Sequence, residues 1–240
     1  MTESNNIEQT HKSTLGDLGG LGGIIFDLDG TLLDSVTDIA TANNRVLEQN
    51  GLPTHSVEKY IEFIGNGARR LVQLALPVEW QKDDEKVDEY LEQYKIAYKQ
   101  NIVERSRLFE GIPELLAFLN KLEIPVCINT NKPHDQTLLI AEKLLSDYHF
   151  EIILGQSEQL PRKPDPAGAL WIAEKLNVSP SDVLFVGDSA VDVNTALAAK
   201  MQLICVDWGY SPKQEMIDAG CKHFVSTAEE LKTFIIKSLP

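Results

Sequence analysis

Past Gly111 the chain alternates short apolar runs with amphipathic stretches. The runs Val126-Cys127-Ile128, Ile152-Ile153-Leu154, Val183-Leu184-Phe185-Val186 and Leu203-Ile204-Cys205-Val206 are apolar at successive positions, the pattern of strands covered on both faces. Stretches with helical spacing separate them, over residues 113–122, 135–145, 167–176 and 190–200. Such alternation predicts a parallel sheet with right-handed crossovers. An earlier run, Ile24-Ile25-Phe26, reads as a further strand, and after it the rhythm breaks.

A crossover needs about a dozen residues, yet about 100 lie between Asp27 and the run at Val126. A loop of that length is not expected inside a compact domain, so an inserted domain is. Its pattern is helical: Val36, Ile39, Ala40, Asn43, Val46 and Leu47 fall at helix spacing, as do Val87, Leu91, Tyr94 and Tyr98. Between them Ser56 is placed to cap a short helix that ends before Gly65-Asn66-Gly67. The chain is expected to leave the sheet near Ser35 and to return at 109–111. The fold class expected is therefore α/β, a doubly wound parallel-sheet, Rossmann-like core with an inserted helical cap domain. The core takes residues 23–35 and 108–240, the cap 36–107, and a flexible tail 1–22. A lid inserted there would sit over the carboxyl end of the first strand, where it excludes water and carries specificity.

Composition narrows the setting. The 240 residues carry a net charge of −14, which argues against nucleic acid or an anionic membrane as partner. Exposed charges are screened beyond about 8 Å at physiological salt, so local cations can still dominate an anion site. The cysteines Cys127, Cys205 and Cys221 match no metal or redox spacing and read as buried thiols. No apolar run reaches transmembrane length and the start lacks a signal-peptide core. A cytoplasmic protein, monomer or homodimer, is expected.

Four clusters carry candidate chemistry. The first, Asp27-Leu28-Asp29-Gly30-Thr31, follows the first apolar run. If the strand continues through it, the period of two puts both carboxylates on one side. An aspartate is ionised near neutral pH and needs no base to act as a nucleophile; its difficulty is repulsion by an anionic phosphate, which a cation offsets. The second, Thr130-Asn131-Lys132, closes the Val126 run and offers a hydroxyl and an amide to a phosphate oxygen. The third, Arg162-Lys163-Pro164-Asp165-Pro166, places a compact lysine charge before a helix. The fourth, Gly187-Asp188-Ser189-Ala190-Val191-Asp192, follows the most apolar run. There Asp188 could ligate a metal and Asp192 could orient a water or the lysine, or Asp188 or Ser189 could simply cap the helix. Each cluster alone has an ordinary structural reading.

In order and in residue type the four together resemble the haloacid dehalogenase-like (HAD) phosphohydrolase superfamily, over essentially everything from Gly23 onward. The resemblance implies a small-molecule phosphomonoester substrate. It makes Asp27 a nucleophile that forms an aspartyl-phosphate and Asp29 the general acid, then base. Thr130, Asn131 and Lys163 would bind the phosphoryl group. Mg²⁺ would be held by Asp27, the Asp29 carbonyl and Asp188, with Gly30 and Asp192 in support. Dehalogenases of the superfamily generally lack the second aspartate, so Asp29 argues against them; no compelling Schiff-base lysine of the phosphonatase kind stands in the cap, with Lys59 the one left open.

The finer resemblance is to phosphoglycolate phosphatases. Asp34-Ser35-Val36-Thr37-Asp38-Ile39 is similar to that family's Asp-Ser-x-x-Asp-Leu, and Ile64-Gly65-Asn66-Gly67-Ala68-Arg69-Arg70-Leu71 to its cap loop. Arg69 is the candidate for a substrate carboxylate, through its planar fork, with a solvated arginine on a lid helix as the alternative. Hydrolysis of 2-phosphoglycolate is the expected activity. A phosphomutase of the β-phosphoglucomutase kind, a pyrophosphatase, a nucleotidase and a receiver-like phospho-accepting switch are the rivals. His134 reads as a surface or helix-start residue, and Trp208 as a packing residue that could border the site.

Overall fold

The computed structural model describes residues 21–238. In chain order the elements are β1 (Gly23–Phe26), β2 (Leu33–Asp34), α1 (Val36–Gln49), α2 (Val57–Ile61), α3 (Ala68–Ala75), α4 (Asp84–Gln100), β3 (Arg107–Leu108), α5 (Ile112–Lys121), β4 (Val126–Pro133), α6 (His134–Leu144), β5 (Ile152–Gln156), α7 (Ala167–Leu176), β6 (Val183–Gly187), α8 (Ala190–Ala199), β7 (Gln202–Val206), α9 (Lys213–Asp218), β8 (Phe224–Val225) and α10 (Ala228–Ser238). A six-stranded sheet runs in the order β5-β4-β1-β6-β7-β8, and every pair in it is parallel. From β1 the chain builds outward through β4 and β5, then returns to place β6, β7 and β8 on the other side. That reversal is a topological switch point, and its crevice lies at the carboxyl ends of β1, β4 and β6.

Alternation along the strands divides the core into two layers. Ile24, Phe26, Ile128, Leu184 and Val186 pack with α5 and α10 through Leu115, Leu119, Leu231 and Ile235. Ile25, Cys127, Val183 and Phe185 pack on the other face against Ile172, Ala173, Ala196 and Ala199 of α7 and α8. All three cysteines are buried free thiols. No described helix is long and apolar enough to cross a membrane.

The chain leaves the sheet and comes back through a small antiparallel ladder, Leu33 opposite Leu108 and Asp34 opposite Arg107. Asp38, in the first turn of α1, ties the two crossings together. Its buried carboxylate accepts the N–H groups of Arg105 and Ser106 at 3.0 and 2.8 Å and the Ser106 hydroxyl at 2.6 Å. Between the crossings α1–α4 form the helical cap, and Ser56 caps α2 through the Lys59 N–H at 3.3 Å. The tail expected over 1–22 lies outside the described residues except for Leu21 and Gly22. Those two are packed: Leu21 is buried, and the Gly22 N–H donates to the Asp182 carbonyl at 2.6 Å.

Candidate active site

Strand β1 ends at Phe26, one residue before the first aspartate. Asp27 and Asp29 therefore do not share a strand face. They stand on a tight turn in which the N–H groups of Thr31, Leu32 and Leu33 all reach back to the Leu28 carbonyl. Leu28 is fully buried beneath it, a contribution of about 1.5–3 kcal/mol that fixes the turn. Both carboxylates nonetheless line one cavity. Gly30 holds φ +92°, and a Cβ there would run into the Asp188 carboxylate, so the close approach of the two loops requires glycine.

Strand β4 loses its regular ladder between Asn129 and Pro133. An irregularity of this kind re-aims side chains, and Thr130, Asn131 and Lys132 all line the cavity. Thr130 accepts the Lys132 N–H at 3.2 Å. The Asn131 amide nitrogen is committed to protein carbonyls, Lys163 at 3.0 Å and Gly65 of the cap at 3.2 Å. Its side chain thus acts as a strap on the cap loop, while the amide expected to meet a phosphate oxygen is the backbone N–H that follows Thr130. Arg162 makes a second strap, donating to the Asn66 carbonyl at 2.9 Å.

Lys163 stands between two carboxylates, 2.8 Å from Asp27 and 2.6 Å from Asp192. Burial would push its ammonium pKa down, but Asp192 and Asp27 outweigh burial and hold it above the usual lysine value. Asp192 has two jobs. One oxygen takes Lys163; the other accepts the Ser189 N–H at 3.1 Å and hydroxyl at 2.6 Å, closing a capping box at the start of α8. Ser189, not Asp188, is the cap. Asp188 instead accepts from the Thr31 hydroxyl and the Tyr210 N–H, each at 2.9 Å.

Sequence reading assigned Lys132 no role, though its motif was in view. Its ammonium donates to both oxygens of Asp29 at 3.0 Å, and the Ser35 hydroxyl donates to Asp29 at 2.5 Å. Tyr210 is a second omission. Its hydroxyl accepts the N–H groups of Ser35 and Val36 at 2.7 and 3.0 Å, so one residue braces both Asp188 and the start of the cap. Trp208 donates to the Thr31 carbonyl at 3.1 Å, which puts it against the same turn. His134 opens α6, its Nδ1 accepting the Gly155 N–H at 3.2 Å.

Arg69 goes elsewhere. Its guanidinium pairs with Asp84 and Asp88 at 2.7 Å on the cap surface and does not line the cavity with Asp27 and Asp29. Two nearby carboxylates satisfy the fork, so the carboxylate-binding expectation is corrected. Lys59 is likewise outside, paired with Glu62 at 2.5 Å in an exposed position.

The electrostatics of the floor are unbalanced. Oxygens of Asp27, Asp188 and Asp192 lie within 4.8 Å of one another, and Lys163 is the cation in contact with Asp27 and Asp192. Burial, only partly offset by Lys163, raises Asp27 to about 6. Burial and the charges of Asp192 and Asp27 raise Asp188 to about 8. Asp27 Oδ1 is buried without a hydrogen bond, its Lys163 contact being an ion pair alone. A donor set of hard carboxylate oxygens with excess negative charge fits a divalent cation such as Mg²⁺.

A family model described as haloacid dehalogenase-like hydrolase matches residues 24–206. The chain is 33% identical over 216 residues to a phosphoglycolate phosphatase of Nitrosococcus oceani, covering 88% of this chain and 95% of that one. It is 32% identical to phosphoglycolate phosphatase 1 of Pseudomonas aeruginosa, covering 90% and 76%. Among solved structures, a predicted phosphoglycolate phosphatase from Haemophilus somnus superposes with a TM-score of 0.80 at 26% identity, covering 90% of this chain and 98% of that one.

Proposed function

The chain belongs to the haloacid dehalogenase-like hydrolase family and is a phosphatase, and on that premise we propose that it is a Mg²⁺-dependent phosphomonoesterase that converts 2-phosphoglycolate to glycolate and phosphate. The carrying observation is a nucleophilic carboxylate, Asp27, beside a buried lysine in the cavity that also holds Asp29. Asp27, Asp188 and the Asp29 carbonyl, with Asp192 behind them, would hold Mg²⁺, which supplies neutralisation of the charge gathered on the floor.

Asp27 attacks the phosphorus and becomes an aspartyl-phosphate as the ester oxygen leaves. Lys163 offsets the repulsion between that carboxylate and the incoming phosphoryl oxygens, while the Thr130 hydroxyl donates to one of them. Asp29, oriented by Lys132 and Ser35, gives a proton to the departing alkoxide. It then takes one from the water that attacks the aspartyl-phosphate. The apolar cap wall of Ile39, Ile64 and Leu71 keeps bulk water away from the phosphoryl group.

Size supports a small leaving group. The cavity is narrow, about 50 Å³, which favours a small substrate. A phosphate-release panel with Mg²⁺ tests the reading, comparing 2-phosphoglycolate with sugar phosphates, nucleotides and pyrophosphate. The highest kcat/KM should fall on 2-phosphoglycolate; preference for any other class overturns the assignment.

A further inference from the structure

Most polar groups of the cavity and of the floor beneath it already have partners: Lys132 with Asp29, Lys163 of the floor with Asp27 and Asp192, and the Asn131 amide nitrogen with two carbonyls, its oxygen being sealed in and unpaired. Tyr94 of α4 and Gln136 of α6 are different. Both line the cavity and each is 3% exposed, yet among the described residues neither the Tyr94 hydroxyl nor the Gln136 carboxamide has a hydrogen-bond partner. Their polar atoms are not sealed away from solvent, so each is open to a ligand that enters the cavity. Ile39, Ile64, Ala68, Leu71 and Pro133 of the same cavity offer no side-chain polar atom.

Position gives these two groups a common task. Gln136 sits in the first turn of α6, which has no side-chain cap, so unpaired helix N–H groups add positive potential beside its carboxamide. Tyr94 approaches from the cap and lies close enough to Asp29 and Lys132 to feel their charges. Burial, then Tyr98, pushes its hydroxyl well above the ordinary value, so it remains a donor at neutral pH. The proton-transfer carboxylate marks the leaving-group side of the cavity. Tyr94 is therefore on the side of the departing alcohol, and Gln136 belongs to the wall of the same cavity.

We propose that Tyr94 and Gln136 form the leaving-group subsite, their hydroxyl and carboxamide binding an oxygen function carried next to the ester carbon, a carboxylate in the favoured substrate. This rests on the phosphomonoesterase reading and adds the selectivity that Arg69 does not supply. Two neutral donors take the place of a guanidinium fork. They select for oxygen at that position and against a bare alkyl chain.

The test compares 2-phosphoglycolate with ethyl phosphate, which has the same carbon count and no carboxylate, on wild type, Tyr94→Phe and Gln136→Met. Both changes keep side-chain bulk, and circular dichroism checks the fold. Each variant should lose roughly 10- to 100-fold in kcat/KM on 2-phosphoglycolate, the range for a lost hydrogen bond to a charged group, chiefly through KM. Ethyl phosphate turnover should fall far less. Equal losses on both substrates, or no loss on either, overturn the subsite. Suppose wild type ignores 2-phosphoglycolate but hydrolyses another small ester bearing oxygen at that position. The substrate assignment then fails, while selective loss on that ester still supports the pair. Wild-type preference for ethyl phosphate over every oxygen-bearing ester overturns the inference itself.

Discussion

Removing the Asp188 charge should separate the stability of the metal-free protein from its response to Mg²⁺. Asp188 lies buried among like charges, and its carboxyl is raised from 3.8 to about 8. A folded pKa above the unfolded one means that stability is fully present below about 4 and is lost as pH rises through about 8. Each pKa unit corresponds to about 1.4 kcal/mol, so the ionised form carries a penalty of several kcal/mol before local relaxation. If only about 2 kcal/mol survives, the effect is roughly 4–8 °C in Tm for a chain of this size. Asp188→Asn removes that titration while keeping an acceptor for the Thr31 hydroxyl or the Tyr210 N–H. Thermal unfolding in EDTA, from about pH 5 to about pH 8, should show wild type falling more steeply than Asp188→Asn. Added Mg²⁺ should raise wild-type Tm most at the alkaline end, where Asp188 is ionised, and raise that of the variant far less. Parallel pH profiles, or equal Mg²⁺ stabilisation of both proteins, would refute the reasoning.

Four further outcomes are expected. Asp29→Asn keeps the fold and Mg²⁺ binding, read by calorimetry, but loses about 10²–10⁴ in kcat, the range for general acid–base help; a near-normal rate would remove Asp29 from proton transfer. Lys163→Met leaves Asp27 and Asp192 buried without their shared cation, which should cost about 3–5 kcal/mol in urea unfolding near neutral pH. Arg162→Ala frees the Asn66 carbonyl of the cap loop and should raise KM several-fold. Arg69→Ala, which breaks only exposed ion pairs, should leave KM unchanged; the reverse ranking would contradict the placement of these arginines.

Long-period features were legible in the chain and short or distant ones were not. The helix read over 167–176 coincides with α7, and those read over 113–122 and 135–145 are each offset by one residue from α5 and α6. Consecutive apolar positions mark buried strands whatever their neighbours, so β4, β5, β6 and β7 could be read locally. The β2–β3 ladder and β8 have two residues each, too few for any period to register. Their pairing comes from tertiary contacts.

At the site, the motif aspartates and lysine could be picked out because their residue types are unusual after apolar runs. Their partners could not. Tyr210 meets Ser35 across 175 positions and Lys132 meets Asp29 across 103, and no local pattern encodes such contacts. Arg69 shows the opposite failure. Its place next to the cap loop suggested the cavity, but helical direction turned it toward Asp84 and Asp88 on the surface. For Tyr94 the signal was present and read only as helix periodicity, because a buried tyrosine at core spacing looks like packing until its hydroxyl is seen to lack a partner.

The central claim is that Asp27 carries the phosphoryl group, and reductive trapping tests it most directly. Enzyme quenched with borohydride during turnover of 2-phosphoglycolate with Mg²⁺ should yield, by peptide mass spectrometry, homoserine in place of Asp27. Sustained turnover with Asp27 unmodified, or with the modification at Asp29 instead, would contradict the account.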